Sequence, residues 1–201
     1  MRMFVRGGVP RAKGAPIITG MPGYFTGAGD DGFTGVLGEG RVPKHDPRIE
    51  AVGAIDEAAA ALGLARSMTH DSSIRSILES VQRHLYQIMA EVAAPGENAA
   101  RFRVIGAEQV AWLEGTIQLL SDDIDVPGGF LLGGDSPAGG ALDLARTIVR
   151  RAERSLAALV HGGQVKNDSL LRYLNRASSL CFLLILVEYR RAGIAPTMAK
   201  E

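Results

Sequence analysis

The sequence predicts an all-α protein, a single antiparallel bundle of five helices preceded by a glycine-rich loop. The chain has 201 residues, which is the size of one domain. From Asp46 onward, five segments carry apolar residues at the three- and four-residue spacing of amphipathic helices. Short or medium stretches separate these segments, which indicates that successive helices run in opposite directions. The pattern predicts no strand hairpin and no solenoid repeat.

The first part of the chain differs from the rest because it is rich in glycine and proline and lacks helical periodicity. We expect residues 1–24 to form a flexible tail and residues 25–195 to form one domain, which begins with a glycine-rich loop at 25–46. The basic first residues lack the continuous apolar region of a secretory signal. The longest apolar run, Leu180–Val187, is far shorter than the roughly 20 residues of a membrane-spanning helix. We therefore expect a cytoplasmic protein without a membrane segment.

The first two helices have clear boundary signals. Asp46 is a typical N-cap residue and Pro47 suits the first helical position, so helix one is predicted to run from there to Met68. Helix two is predicted over about 72–94, where apolar residues recur at helical spacing and a Pro-Gly pair follows.

Three more helices follow the Pro-Gly pair. Helix three is predicted over 107–120, and a long loop, "SDDIDVPGGFLLGGDSP", occupies 121–137. Helix four has Pro137 at its start and runs to about Val160, where "HGGQ" ends it. Helix five runs to about Ala192. Each of the last two helices has two candidate N-caps, which are Asp135 or Ser136 for helix four and Asn167 or Asp168 for helix five.

The composition excludes several kinds of site. Charge is balanced, with 22 Lys and Arg against 22 Asp and Glu, so no overall field favours nucleic acid or an acidic membrane. The four histidines are scattered without metal-ligand spacing, and no motif predicts a metal ion held directly by the protein. The single cysteine, Cys181, lies in an apolar run and is expected to be a buried core residue. An anion site must therefore come from local clustering.

The strongest local cluster is a group of arginines in helix four, within "ARTIVRRAER", which we call the arginine stripe. Arg146, Arg150 and Arg154 fall within about 80° on the helix surface, and Arg151 lies about 60° beyond them. Four arginines on one side repel one another unless carboxylates or a bound polyanion offset their charge. Arginine suits a polyanion because its planar fork pairs with two phosphate oxygens at once. A solvated surface neutralised by Glu153 is the alternative interpretation.

Helix five carries a second polar stripe. Arg172, Asn175, Arg176 and Ser179 lie within about 100° of one another, away from the apolar residues of the helix. The amide of Asn175 can bind a nucleotide base or ribose, or it can join two helices through hydrogen bonds.

Asp56 in helix one is unusual because it lies beside Val52, Ala59 and Gly63, on or near the apolar face. An unpaired buried carboxylate costs several kcal/mol or more. We therefore expect Asp56 to have a cationic partner, with an arginine of the stripe as the obvious candidate. Glu57, about 100° further round the helix, is predicted to face solvent.

The stretch "TGAGDDGFTG" at 26–35 has glycines at 27, 29, 32 and 35. Glycines permit positive φ and close backbone approach, as in a nest of amides that binds an anion. The stretch is not a P-loop, since no Gly-Lys-Ser/Thr follows and no helix begins directly after it. Neither a βαβ unit nor the ligand spacing of a calcium loop is present. Taken alone, the stretch predicts either a turn or a phosphate site.

Three segments carry a resemblance when they are taken in chain order. They are "FTGAGDDGFTGVLGEGRVPKHDPRIEAVGAIDE", "FLLGGDSPAGGALDLARTIVRRAER" and "LRYLNRASSLCFLLILVE", within residues 25–188. Together they resemble the PduO-type ATP:cob(I)alamin adenosyltransferases. The resemblance implies a five-helix bundle that assembles as a homotrimer with active sites between subunits. It also implies transfer of the 5′-deoxyadenosyl group of ATP to the cobalt of cob(I)alamin, with release of triphosphate.

The resemblance implies a role for particular residues. Those of the loop that would wrap the triphosphate with Mg²⁺ are Thr26, Gly29, Asp30, Gly32 and Thr34. Those of helices four and five that would bind the nucleotide are Arg150, Arg151, Glu153 and Asn175. Because the cobalt itself is the nucleophile in this reaction, no catalytic Ser, Cys or His is expected.

The catalytic set implied by the resemblance is Asp56, Phe130, Arg146 and Arg150. Arg146 matches a family arginine that pairs with an aspartate, here Asp56, across the subunit interface. Phe130 matches the aromatic residue that displaces the lower axial ligand of cobalamin, which makes the cobalt easier to reduce to Co(I). The partners implied are ATP, cob(I)alamin, a flavoprotein reductase and a cobalamin-dependent acceptor enzyme, with no nucleic acid or membrane.

The sequence also departs from the family pattern. The loop commonly reads Thr-Arg-Thr-Gly, but Thr26–Gly29 reads Thr-Gly-Ala-Gly, which removes one cation and one hydroxyl. Ala58 and Ala59 replace the usual Leu-Asn, Ser179 stands where Asp is frequent, and Gly133 where Pro is frequent. These changes motivate a second hypothesis, a non-catalytic relative that binds corrinoid or nucleotide for delivery or sensing. A third is an interaction protein whose arginines pair only with its own carboxylates.

Overall fold

The computed structural model describes residues 25–200, which are mostly helical. Its five α-helices are α1 Pro47–Met68, α2 Ser72–Ala93, α3 Ala107–Ser121, α4 Pro137–His161 and α5 Asp168–Ala192. The same range holds a 3-10 helix, Gly96–Phe102, and two short strands, β1 Phe33–Gly35 and β2 Arg41–Pro43. The tail predicted at 1–24 lies outside the described residues.

The predicted helix boundaries are confirmed to within one or two residues. Asp46 caps α1 by accepting a hydrogen bond from the amide of Arg48 at 2.8 Å. The two open N-cap choices are decided in favour of Ser136 for α4 and Asn167 for α5. Each accepts a bond from an amide in the first turn of its helix, at 3.0 Å and 3.1 Å respectively.

The core forms where α1 lies between α2 and α4, while α5 packs against α4 and α3. The buried face of α1 is built largely from alanine, which lets its neighbours approach closely; its alanines are Ala51, Ala54, Ala58, Ala61 and Ala65. By length and composition α5 is apolar enough to cross a membrane, with a mean hydropathy of 1.5 over 18 residues. However, 67% of that window is buried inside the fold, as expected for a core helix.

The expectation that the chain has no strand hairpin is wrong. β1 and β2 pair in antiparallel register, with Thr34 opposite Val42. Strands of three residues are too short for the apolar alternation that identifies a strand in sequence. The 3-10 helix also escaped prediction, because the Pro-Gly pair that ends α2 indicates only that a helix stops.

Buried Arg48 holds three segments together at the end of the bundle where the glycine loop leads into α1. Its guanidinium donates to the carbonyl of Val92 at 2.6 Å and to that of Gln164 at 3.2 Å. It therefore joins the start of α1 to the end of α2 and to the connection between α4 and α5. Burial lowers the pKa of Arg48, with nearby Asp46 acting in the opposite direction. A further bond, from the amide of Leu37 to the end of α2, holds the loop at this end.

A partly buried polar contact joins α2 to α5. His84 Nδ1 and the hydroxyl of Tyr173 are 2.8 Å apart, and the two rings meet edge to face. Trp112 of α3 also meets the imidazole edge to face, with ring centroids 5.2 Å apart. Burial lowers the pKa of His84, which favours the neutral imidazole over the charged form.

Candidate functional site

A cleft of about 650 Å³ lies between α4, α5 and the long loop that precedes α4. It brings together three of the residues predicted from sequence, namely Phe130, Arg146 and Arg150. The loop supplies an apolar wall, α4 supplies charge, and α5 supplies small and apolar side chains. The lining residues are Val126–Gly133, Asp143, Arg146, Arg150, Ser178, Ser179, Phe182 and Ile185. The cleft therefore offers a cationic edge beside an apolar surface, which suits a large ligand with an anionic group next to it.

Phe130 projects from the loop, and its side chain is 87% exposed. The base of the loop is held by the hydroxyl of Tyr189 in α5, which accepts from the amide of Asp135 at 3.2 Å. Gly139 in α4 makes this contact feasible, because a Cβ there would lie 2.3 Å from the tyrosine ring. Phe182 of α5 also lines the cleft and is only partly buried.

The arginine stripe divides into paired and unpaired members. Arg146 Nε donates to Asp143 Oδ1 at 2.9 Å, and Arg151 pairs with Glu57. Arg150 and Arg154 are exposed, and within residues 25–200 neither has a carboxylate at salt-bridge distance. The hypothesis that these arginines pair only with the chain's own carboxylates therefore fails for two of the four. Arg150 is the unpaired arginine that lines the cleft.

Asn175 takes part in a network between helices rather than standing free. Its Nδ2 donates to Glu153 Oε1 at 2.9 Å, and its Oδ1 accepts from Arg176 Nη1 at 2.7 Å. Arg176 Nε in turn donates to Glu114 of α3 at 3.1 Å. The structure thus brings Glu153 and Asn175 together and fixes the orientation of the amide, in agreement with the alternative in which Asn175 joins two helices through hydrogen bonds.

The prediction that Asp56 lies on or near the apolar face is wrong, because its side chain is exposed. The buried face of α1 is centred on Ile55 and Leu62, whereas the residues used for the prediction, such as Val52 and Ala59, lie at its half-buried edge. In the described chain no arginine lies within salt-bridge distance of Asp56. Its neighbour Glu57, predicted to face solvent, is exposed and holds Arg151.

The glycine loop is a series of tight turns. Gly27 and Gly32 have φ of 70° and 80°, a region that favours glycine. The amide of Asp30 bonds to the carbonyl of Gly27, and that of Gly32 to the carbonyl of Gly29, each at 3.1 Å. Gly29 and Gly35 have ordinary φ. The positive φ predicted for this loop is therefore confirmed at two of its four glycines.

Arg41 clamps these turns from β2. Its guanidinium forms a two-pronged pair with the carboxylate of Asp31, at 2.8 Å and 2.7 Å. The same side chain donates to the carbonyls of Ala28 and Phe33. These bonds hold the pKa of Asp31 below its usual range. Thr26 contributes a local bond, since its hydroxyl accepts from the amide of Ala28 at 3.3 Å.

Lys44 is a candidate site residue that the sequence interpretation missed. A Cβ on Gly29 would lie 2.9 Å from Lys44 Nζ, so the ammonium rests against the backbone of the loop. The hairpin makes this approach possible, because the amide of Lys44 bonds to the carbonyl of Gly32 at 2.9 Å. Recognition of β1 and β2 in sequence would have revealed the contact, since pairing Thr34 with Val42 places Lys44 beside the turns. The loop therefore has a cation beside it, although Gly27 stands where the family pattern has an arginine.

Within one chain, the loop and the cleft lie apart. The start of α1 is fastened beside the end of α4 through Arg48 and Gln164. Arg150 lies eleven residues, or about 16 Å, before the end of α4. Among the described elements, neither strand contacts α4. The structure therefore does not bring Gly29 and Arg150 into one site within a single copy.

The fold and the cleft define a mostly helical domain with a cleft that is cationic on one edge and apolar on the other. The family model described as cobalamin adenosyltransferase matches residues 24–188, and the chain belongs to that family. A corrinoid adenosyltransferase from Mycobacterium tuberculosis is 38% identical over 165 residues, with 80% of this chain and 85% of that protein covered. The corrinoid adenosyltransferase PduO of Salmonella typhimurium is 36% identical over 165 residues, covering 82% of this chain. The chain spans about half of that relative's length, 49%.

Solved structures give the same result for the fold. A variant PduO-type ATP:corrinoid adenosyltransferase from Lactobacillus reuteri, complexed with cobalamin and ATP, superposes with a TM-score of 0.81 at 27% identity. The match covers 88% of this chain and 99% of that one. A second variant from the same organism, complexed with ATP, gives the same TM-score at 28% identity.

Proposed function

We propose that the protein transfers the 5′-deoxyadenosyl group of ATP to the cobalt of cob(I)alamin. The observation that carries the proposal is the cleft, which joins exposed Phe130 to Arg150, an arginine without a carboxylate partner in residues 25–200. Family membership identifies the ligands that such a cleft would accept, since the relatives are named corrinoid adenosyltransferases. In the reaction the cobalt attacks C5′, a Co–C bond forms, the C5′–O bond breaks, and triphosphate leaves.

The chain's own residues would contribute charge, position and the exclusion of water. Arg150, with Arg151, would neutralise the phosphates, while Glu153 and Asn175 would hold the nucleoside. Phe130 would occupy the lower face of the corrinoid and displace its axial ligand. The remaining phosphate ligands would come from the glycine loop, namely Thr26, Gly29, Asp30, Gly32 and Thr34, joined by Lys44.

Mg²⁺ would enter with ATP rather than occupy a protein-held site. Among residues 25–200 no group of three His, Cys, Asp or Glu side chains is placed to hold a metal ion. The phosphate oxygens would therefore supply most of its ligands, which is usual for Mg²⁺ bound with nucleotides. The ion would supply charge neutralisation of the leaving triphosphate.

The fold is proposed to be an antiparallel five-helix bundle that assembles as a cytoplasmic homotrimer with its sites between subunits. The separation of the loop from the cleft supports this assembly, because the loop of a second copy could supply the phosphate ligands that the cleft does not receive from its own chain. Exposed Asp56, which has no salt-bridge partner within residues 25–200, supports it as well. It could pair with Arg146 of another copy if that arginine exchanged its bond to Asp143.

The experiment that tests the activity is anaerobic incubation of the protein with chemically reduced cobalamin, ATP and Mg²⁺. Appearance of the absorption spectrum of adenosylcobalamin, together with triphosphate, is expected. The proposal would be refuted if no adenosylcobalamin formed and calorimetry detected no binding of ATP.

A second candidate function is binding of corrinoid or nucleotide for delivery or sensing, without turnover. The observation that favours it is the replacement of a cation and a hydroxyl by Gly27 and Ala28 in the loop. The position of Lys44 beside Gly29 counts against it, because that ammonium offsets the missing cation. Corrinoid binding without formation of adenosylcobalamin would favour this second function.

A further inference from the structure

Residues 197–199, which we call the strap, pair with the loop that carries Phe130. Leu131 and Met198 form an antiparallel β-bridge. On either side of it, the amide of Leu132 donates to the carbonyl of Thr197 at 2.9 Å, and the amide of Ala199 donates to the carbonyl of Phe130 at 2.8 Å. The backbone of Phe130 is therefore bonded directly to the strap.

A carboxylate completes the attachment. Asp135 Oδ2 accepts from the amide of Thr197 and Oδ1 accepts from its hydroxyl, both at 2.8 Å. These two bonds keep the pKa of Asp135 below its ordinary value. The strap is thus tied to both ends of the segment 130–135.

The turn after α5 directs the strap to this place. Gly193 ends the helix with φ of 68°, and the amide of Ile194 bonds to the carbonyl of Tyr189 at 2.9 Å. The side chain of Met198 then lies against Gly129, where an added Cβ would be 3.0 Å from its methyl group. The strap lies beyond residues 24–188, the part of the chain that the family model matches.

Because Phe130 is exposed, its position depends on how the backbone of the loop is held. A side chain that is 87% exposed is not positioned by packing, so its location depends on the backbone that bears it. A free loop must lose conformational entropy when a ligand orders it, whereas a loop already held by hydrogen bonds loses less.

We propose that the strap is a positioning element for the corrinoid half of the proposed reaction, with Asp135 and Thr197 as its positioning residues. The inference rests on the proposed function, in which Phe130 acts on the lower face of the corrinoid. The strap holds Phe130 at the mouth of the cleft before the substrate arrives. It therefore favours binding of the corrinoid over binding of ATP, because none of the residues proposed to bind ATP belongs to the strap or to the segment 130–135 that the strap holds.

The main test compares Ala199→Pro with the matched control Lys200→Pro in the full chain. Proline at 199 removes the amide that bonds to Phe130, whereas the amide of Lys200 makes no hydrogen bond within residues 25–200. For Ala199→Pro we expect amide exchange at Leu132 to accelerate about tenfold and the KM for cob(I)alamin to rise about fivefold. The KM for ATP should stay within about twofold, and Lys200→Pro should change none of the three values.

A side-chain series provides a second readout. Thr197→Val removes the hydroxyl and keeps the shape, so it should raise the corrinoid KM about threefold, and Thr197→Ser should restore it. Faster exchange at Leu132 with an unchanged corrinoid KM would overturn the positioning role. Unchanged amide exchange at Leu132 in Ala199→Pro would overturn the claim that the strap holds the Phe130 loop in place.

Failure of the proposed activity can be told apart from failure of the strap. If the wild-type protein makes no adenosylcobalamin, the strap is judged by affinity for cob(II)alamin, measured from its absorption spectrum. Weaker binding by Ala199→Pro than by Lys200→Pro would support the strap, and equal binding would overturn it.

Discussion

Arg150 is the arginine of the cleft that can be removed with least damage to the fold. Its side chain is exposed, and no carboxylate of residues 25–200 lies at salt-bridge distance. Arg150→Ala therefore breaks no ion pair in the described chain. Substitutions of exposed residues without such partners usually change the free energy of unfolding by no more than about 0.5 kcal/mol. We expect the thermal midpoint to be nearly unchanged.

The effect on ATP should be much larger. A guanidinium that pairs with phosphate through two charge-assisted hydrogen bonds contributes about 1.5–3 kcal/mol. Loss of that amount corresponds to an increase of about 10- to 150-fold in the KM for ATP. Arg150→Lys should recover part of this loss, because lysine keeps the charge and lacks the planar fork.

The assay is the initial rate of adenosylcobalamin formation from pre-reduced cobalamin, with ATP varied under anaerobic conditions. Arg154→Ala is the matched control, since Arg154 is one turn further along the same face, is exposed, and does not line the cleft. We expect it to change the KM for ATP by less than about threefold. Equal changes in both variants would refute the assignment, as would an unchanged KM in Arg150→Ala.

Three further predictions concern the apolar wall, the loop and the core. Phe130→Ala should slow formation of product from cob(II)alamin with a chemical reductant more than from pre-reduced cob(I)alamin, and equal slowing would refute a role of the ring in displacing the axial ligand. Gly29→Ala displaces the ammonium that rests 2.9 Å from the added Cβ, so the KM for ATP should rise about threefold or more. Gly35→Ala meets no atom within 4 Å and serves as its control; equal kinetics in the two would refute the role of the ammonium. Because burial lowers the pKa of His84, its contribution to stability is present above pH 6.5 and is lost as the pH falls below that value. Denaturant titrations from pH 7.5 to 5.5 should show a flatter profile for His84→Gln, and parallel profiles would contradict this account.

Helix boundaries could be predicted because their causes are local. A capping side chain and a proline at the first turn act within three residues, so Asp46 and Ser136 are recognisable without any tertiary information. The arginine stripe could be predicted for the same reason, since the angle between Arg146 and Arg150 depends only on the helical repeat.

The contacts that the sequence did not reveal are those that depend on packing. Asp56 was assigned to the apolar face because a helical wheel shows direction and does not show which neighbours cover it. Lys44 was missed because its approach to Gly29 requires a hairpin of three-residue strands. Likewise, the pairing of Met198 with Leu131 joins residues far apart in the chain, without any repeat or motif to indicate it.

The distance between the glycine loop and the arginine stripe has a consequence for how the protein would behave at low abundance. If the site is completed by another copy, dilution below the dissociation constant of the assembly separates the two halves of the site. Turnover per chain would then fall steeply with concentration, even at saturating ATP and corrinoid. Expression level would in that case act as a control on adenosylation, independent of the supply of ATP or corrinoid.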